Sequence, residues 1–257
     1  MKNYKIAFGA SIALALSMLS VPVHAALTNL VINGDFETTS AGNGMLNYNT
    51  VVTGWSSPTY TTKWGETHQS YNFVYAPNTA DTSGANGWDG NVKLWGPNTG
   101  SNNGLTNSPT GGNFIASDGA YYQGAISQTI TGLTAGQQYT LSFYQAGAQQ
   151  AWYRGDNWEG WTVSLGNDSF STTVMNNADK GFTGWQQVTH TFTATGSSQV
   201  LSFLATGGPQ GLPPMSLLDG VSLTAPVPEP EEWAMMMVGA GLVGFQVKRK
   251  QAKATQA

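Results

Sequence analysis

The chain has 257 residues, of which 9% are charged, 40% hydrophobic and 11% aromatic, with a formal net charge of −4 and no cysteine. That composition supports a buried core and excludes a disordered chain, a basic nucleic-acid surface, a disulfide scaffold, thiol catalysis and cysteine zinc sites. Low charge with abundant Gly, Thr, Ser and Asn suits short strands and turns better than helices.

Lys2 and Lys5 precede an apolar run from Ile6 to about Val21, which Pro22 and the small-residue site Val23-His24-Ala25 follow. This layout predicts a secretory signal peptide, residues 1–25, cleaved after Ala25. A transmembrane anchor fits less well, because the run is short and ends in proline. Residues 26–225 form the exported domain. Its basic residues are Lys63, Lys93, Arg154 and Lys180 against 11 acidic ones, a formal charge of −7. A domain of this size buries roughly 70% of its unfolded surface, so it holds together outside the cell without disulfides.

Period-2 alternation dominates the domain. Leu30, Ile32 and Phe36 share one face of a first strand. Residues 77–113 read as a long Gly/Asn/Thr/Ser-rich loop, and Trp88 and Trp95 within it argue that it packs on something. Tyr139, Leu141 and Phe143 alternate after a glycine-flanked turn, as do Trp161, Val163 and Leu165, and then Val188, His190 and Phe192. Leu201, Phe203 and Ala205 continue the pattern, and Val200 and Leu204 opposite them predict a strand covered on both faces. In the last strand, Leu217–Leu223, alternation puts Asp219 with Val221 and Leu223 on the core side. A carboxylate buried there must be paired, hydrogen-bonded or metal-bound. Many short strands, no amphipathic helix and no internal repeat predict an all-β sandwich or jelly roll.

The residues that could carry chemistry are few. No Gly-x-Ser-x-Gly, His-Glu-x-x-His or phosphate-cradling Gly-x-x-x-x-Gly-Lys occurs. His190 falls on an apolar strand face and reads as a core histidine; His68 beside Glu66 reads as solvated. Asp156 and Glu159 share one loop, but a glycosidase needs its two carboxylates roughly 5–9 Å apart across a cleft. Trp152, Tyr153, Trp158 and Trp161 lie within ten residues. Alternation sends Trp161 to the core and leaves Trp152, Tyr153 and Trp158 in a loop with Asp156 and Glu159. Exposed rings among hydrogen-bonding side chains suit sugars, whose C–H faces stack on the negative face of an aromatic ring; the alternative is that the loop tryptophans fold back onto the sandwich.

The C-terminal segment, residues 226–257, begins with Val227-Pro228-Glu229-Pro230. An apolar stretch, Trp233–Val247, follows, and Lys248, Arg249, Lys250 and Lys253 close it. Fifteen residues make about 22 Å of helix, a marginal transmembrane span, and the basic tail puts the far side of the membrane upstream. The Pro-Glu-Pro, the Trp-Ala-Met-Met start, the glycine-containing helix and the basic stop together resemble the PEP-CTERM sorting signal. That resemblance implies export across the inner membrane of a Gram-negative bacterium with an exopolysaccharide system. It also implies processing by an exosortase near the Pro-Glu-Pro, and a final place at the cell surface or in the extracellular matrix.

Asn33-Gly34-Asp35-Phe36-Glu37, Gly54-Trp55, Ile126-Ser127-Gln128-Thr129-Ile130 and Leu218-Asp219-Gly220-Val221 together resemble the galactose-binding-like jelly rolls, the fold of many carbohydrate-binding modules. The resemblance implies a structural Ca²⁺ tying the first strand to the last through Glu37 and Asp219, with backbone carbonyls completing an oxygen shell. The alternative is that Asp219 accepts backbone N–H bonds. The function expected is an exported, exosortase-processed, noncatalytic surface or matrix protein that binds exopolysaccharide or another glycan and no nucleic acid. A purely structural matrix protein and a glycan-active enzyme are the competing classes.

Overall fold

The computed structural model describes residues 28–84, 90, 92–226 and 240. The leader with Ala25, the Val227–Pro230 motif and the expected helix 233–247 lie outside these residues, except Ala240, which is helical. Among the described residues no helix is long and apolar enough to cross a membrane. Between 28 and 226 the only helix described is a 3-10 turn, Pro97–Thr99.

Thirteen strands are described: β1 Gly44–Met45, β2 Thr59–Thr61, β3 Thr67–Gln69, β4 Asn72–Tyr75, β5 Phe114–Asp118, β6 Ile126–Thr131, β7 Gln138–Gln149, β8 Asn157–Leu165, β9 Asp168–Ser171, β10 Met175–Asn177, β11 Gln186–Thr193, β12 Ser198–Gly208 and β13 Pro214–Thr224. Sheet I runs β1-β4-β5-β13-β7-β11, and sheet II runs β10-β8-β12-β6 with β9 also on β8. Strands β2 and β3 form a separate hairpin. Antiparallel pairing throughout the two sheets lets each strand turn one face inward, as in a sandwich.

The space between the sheets holds Phe143 and Leu141 of β7, Trp161 and Val163 of β8, Phe203 and Leu201 of β12 and Leu218 of β13, all buried. Phe203 meets Phe143 and Trp161 edge-on at 5.1 and 6.1 Å, the favoured geometry for ring quadrupoles. Burying each such side chain contributes about 1.5–3 kcal/mol.

A second apolar layer lies on the outer face of sheet I, where Phe73, Tyr75, Phe114, Ala116, Ala146, Ala148, Met215 and Leu217 are buried. What covers them is the long Gly/Asn-rich segment. Leu94 and Val92 pack on this face, the Leu94 N–H donates to Ala80, and the Tyr75 hydroxyl donates to the Val92 carbonyl at 2.6 Å. The Trp95 N–H donates to Gln149 and the Ala151 N–H to Lys93, so the segment extends the end of β7. The expectation that this stretch packs on something therefore holds for Trp95, which is buried, while Trp88 lies outside the described residues.

Three local expectations change. Residues 29–36 form no strand: Val31 and Phe36 point inward, while Ile32 is 61% exposed. The segment instead bridges the sheets. Its Leu30 N–H donates to Leu223 and Gly34 accepts from Val221, while the Gln128 amide clamps both backbone groups of Ile32. A β-carbon on Gly34 would sit 2.0 Å from the Val221 carbonyl oxygen, which requires glycine there. Strand β12 is covered on one face only, since Val200 is exposed. In β13 the register shifts between Asp219 and Ser222, with Gly220 at φ 60°. That bulge breaks the alternation. Leu218, Val221 and Leu223 keep the inner face, and Asp219 falls with Met215 and Leu217 on the outer one.

Candidate functional site

The loop between β7 and β8 is held from several sides. The Gln149 amide donates to the Gly155 carbonyl at 2.9 Å and accepts the Lys180 N–H at 2.9 Å. Asp179 accepts the Gly155 N–H at 2.7 Å and pairs with the Arg154 guanidinium through Nε and Nη2. The pair raises the Arg154 pKa and lowers that of Asp179, chiefly through the hydrogen bond between them. Asp156 accepts the Asp179 N–H at 2.9 Å, and the Trp95 indole donates to the Tyr153 carbonyl at 2.8 Å. This frame presents Trp152, 56% exposed, and Tyr153, 41% exposed. Trp152 sits at φ 79°, in the left-handed region that bulky side chains avoid, and its ring leans on Trp95 at 5.9 Å.

The other aromatic and acidic residues expected in this loop go elsewhere. Trp158 belongs to β8 and lies on the outer face of sheet II, its indole over Gly208, where a β-carbon would come within 3.0 Å of the ring. It is 40% exposed. Glu159 does not sit in a solvated loop. It is fully buried between the sheets, aimed at Gly147, and Asn177 donates to it at 3.4 Å. Burial pushes its carboxyl up to about 9, so it is neutral at pH 7. Asp156 is exposed, and the two acids have no common surface to work on. Trp161 is in the core as expected, its indole donating to the Leu217 carbonyl at 3.2 Å. His190 is half-buried and stacks on Phe170 at 3.8 Å.

The expected calcium pair, Glu37 and Asp219, converges from different elements onto residues 108–113. Asp219 is fully buried; its Oδ2 accepts from the Thr110 hydroxyl, and its Oδ1 has no partner. Burial raises its carboxyl to about 6, bonds from Ser108, Thr110 and Gly220 oppose that, and the charge of Glu37 adds to it. Glu37 Oε1 accepts the Asn113 N–H at 2.5 Å and lies where a Gly112 β-carbon would be. Two carboxylates near each other, one with an orphaned buried oxygen, fit a hard cation with oxygen ligands. Among the described residues no group of three or more His, Cys, Asp or Glu gathers, so carbonyls and hydroxyls would complete the shell.

A feature that alternation could not reveal lies beside the β2–β3 hairpin. A groove of about 390 Å³ is lined by Tyr48, Thr67, His68, Gln69, Tyr71 and Tyr122, with Met45 in its wall. His68 stacks on Tyr122 at 4.7 Å, and Tyr60 and Tyr121 flank the same ring at 5.1 and 4.1 Å. His68 is thus not simply solvated. Asp118 builds the turn that supplies these rings: its Oδ1 accepts the N–H groups of Ala120 and Tyr121 at 2.8 and 3.0 Å. Burial raises the Asp118 carboxyl to about 7. The sequence signal was the Tyr121-Tyr122 pair after an acid at a strand end, a pattern legible only once the hairpin is folded over it.

No protein-family model matches the chain, and no curated protein matches it. Among solved structures, the chain is similar to the enzymatically active domain of bacteriophage CBA120 tailspike protein 4, at 10% identity and TM-score 0.39, covering 77% of this chain and 21% of that one. It is also similar to a family 16 carbohydrate-binding module, at 17% identity and TM-score 0.35, covering 76% and 99%. A third such structure is the CBM22-1 xylan-binding domain from Paenibacillus barcinonensis Xyn10C, at 13% identity and TM-score 0.31, covering 75% and 95%. The chain thus spans about a fifth of the tailspike chain and nearly all of the other two.

Proposed function

We propose that this chain is an exported, noncatalytic glycan-binding module, sorted by an exosortase to the cell surface or matrix of a Gram-negative bacterium. The observation that carries the binding role is the Trp152–Tyr153 loop. Two solvent-facing rings are fixed by a hydrogen-bonded frame, one of them in a backbone conformation that costs free energy to hold. Rings fixed before the ligand arrives lose little entropy on stacking. The Arg154–Asp179 pair holds the loop from one side, and the exposed part of the Arg154 guanidinium lies next to the stacking faces. The export and sorting reading rests on the leader-like start and on Val227-Pro228-Glu229-Pro230 with its apolar stretch and basic tail.

Calcium belongs to the same proposal. Glu37, Asp219 and the hydroxyl of Thr110 would hold it, and the ion would fasten the 108–113 segment to the bulge of β13. It supplies structure rather than chemistry.

Affinity electrophoresis of the exported protein in gels containing host exopolysaccharide tests the binding role. Retardation should occur, and Trp152→Ala should reduce it without lowering Tm, because the ring is mostly exposed. Equal retardation of the variant and the wild type would remove the loop from the contact. Intact-mass analysis of exported material tests the sorting role: an N-terminus at Ala26 and loss of residues 233–247 are expected, and retention of that segment in an exosortase-competent host contradicts it.

A further inference from the structure

The Trp152–Tyr153 loop and the tyrosine-lined groove lie at the same pole of the sandwich. Strand β7 ends at Gln149, directly before the loop, and in the same transverse row Ala148 pairs with Met215, which pairs with Asp118. Asp118 in turn holds the turn at Ala120 and Tyr121, directly before Tyr122. The rings therefore follow one another: Trp152 and Tyr153 on the loop, Tyr121 and Tyr122 on the turn after β5, then His68 and Tyr60 on the hairpin and Tyr48 at the far wall. Tyr153 is also close enough to Tyr121 to oppose its ionisation.

Three further observations mark the groove as built for a ligand. Tyr48, in its wall, is 58% exposed. Tyr122 is held at φ 42°, a left-handed conformation that an ordinary turn residue avoids. His68 Nε2 and Gln69 Oε1 are buried polar atoms with no hydrogen-bond partner, and both residues line the groove. Native proteins leave few such atoms, and a ligand hydroxyl that donates and accepts would satisfy both kinds once the two side chains turn toward it.

The lining also says which ligands fit. It offers phenol rings, a hydroxyl, an amide and the His68 imidazole, and no lysine, arginine or carboxylate. Just outside, the Glu66 carboxylate lies 3.8 Å from His68 Nε2, and the exported domain carries an excess of acid. An anionic sugar would meet the repulsion of Glu66, and the basic group of the lining, His68, already lies beside that carboxylate. A neutral pyranose presents C–H faces to the rings and hydroxyls to Gln69, Thr67 and His68.

We propose that the groove is a second contact site, taking neutral pyranose units of the same chain that crosses the Trp152–Tyr153 loop. This rests on the glycan-binding reading of the loop and extends it to a continuous track. An extended chain lying along both sites gains affinity with length until the track is filled, since each added contact is intramolecular.

The test is isothermal titration of the exported protein with neutral cello-, xylo- and manno-oligosaccharides of increasing length, and with oligogalacturonates. A neutral series that binds more tightly with length is expected, with the acidic series at least tenfold weaker. Tyr48→Ala should cost tenfold or more for the longest ligands and little for the shortest. Gln69→Ala, which leaves the rings in place, should do the same to a smaller degree. Trp152→Ala should weaken ligands of every length. If Tyr48→Ala and Gln69→Ala match the wild type at every length while Trp152→Ala does not, the groove falls and the loop reading stands. Preference for the acidic series overturns the assignment of a neutral ligand. Binding by no oligosaccharide at all overturns both readings.

Discussion

The outer faces of the two sheets are opposites. That of sheet I is apolar and covered, with Phe73, Tyr75, Phe114 and Leu217 packed with Ala80, Val92, Leu94 and Leu105 of the long segment before β5. That of sheet II is open, and its outward positions include Ser127, Thr129 and Thr131 on β6, Thr162 and Ser164 on β8, and Val200, Ser202, Leu204 and Thr206 on β12, with Trp158 at one end, and none of these is charged. Cross-strand hydroxyl contacts such as Ser164 with Ser202 at 2.8 Å tie that face together. The contrast shows that a low content of charged residues is used in two ways. On one side the chain supplies its own cover; on the other, Ser and Thr take the place that charges hold on most exposed sheets.

The largest effect that tests this contrast is loss of the cover. Leu94→Ala, in a segment that reads as a loop, should cost about 2–5 kcal/mol, as a core residue does. Chemical denaturation measures it, and a cost below about 1 kcal/mol would make the segment a mere tether.

A second test concerns the polar end of the interior, where Glu159 is kept neutral. Its carboxyl is raised from the ordinary 4.5 to about 9. The folded state therefore holds a proton that the unfolded state releases, and stability falls as pH rises between those values, levelling off above about 9. Asp118, raised to about 7, contributes the same sign over a narrower range. Thermal melts from pH 5 to 9 should show Tm declining, and Glu159→Gln should flatten the decline. Parallel curves for the two proteins would place the source elsewhere.

Third in size is the fastening of the cover's end at residues 108–113. Calcium at a hundredfold excess over Kd should add about 2.7 kcal/mol. A chelator should lower Tm by a corresponding amount, and Asp219→Asn should abolish the difference. An unchanged melting curve would leave Asp219 held by its hydrogen bonds alone. The smallest effect belongs to the open face: Val200→Thr should change stability by less than about 0.5 kcal/mol. A large cost there would mean that this face, too, is covered.

What the sequence made legible follows from the same contrast. Strands β7 and β8 read correctly because an inward set of Leu, Phe, Val and Trp repeats every second residue. Strands β4 and β5 escape that reading. They are short, buried on both faces, and run as Asn72-Phe73-Val74-Tyr75 and Phe114-Ile115-Ala116 without alternation. Asp219 changed sides because a single bulge residue inverts everything on one side of it. Glu159 shares the parity of Trp161, which alternation sends inward; its carboxylate and its nearness to Asp156 argued for a loop, and the pleat decided. Trp152 and Tyr153 were visible as exposed aromatics, whereas the groove needed the hairpin, the Tyr121-Tyr122 turn and Asp118 to meet in space.

The bridging segment at the start of the domain has a consequence for how the molecule is displayed. Because Leu30 bonds to Leu223, the polypeptide enters and leaves at neighbouring points, beside the start of β7. The aromatic pole lies at the other end of that twelve-residue strand, roughly 40 Å away at about 3.3 Å per residue. A tether joined just before residue 29 or just after residue 224 would therefore meet the sandwich at the end away from the rings. The rings point outward in both cases, and a pull on the ends loads the few hydrogen bonds between residues 29–34 and β13 before it reaches the sandwich.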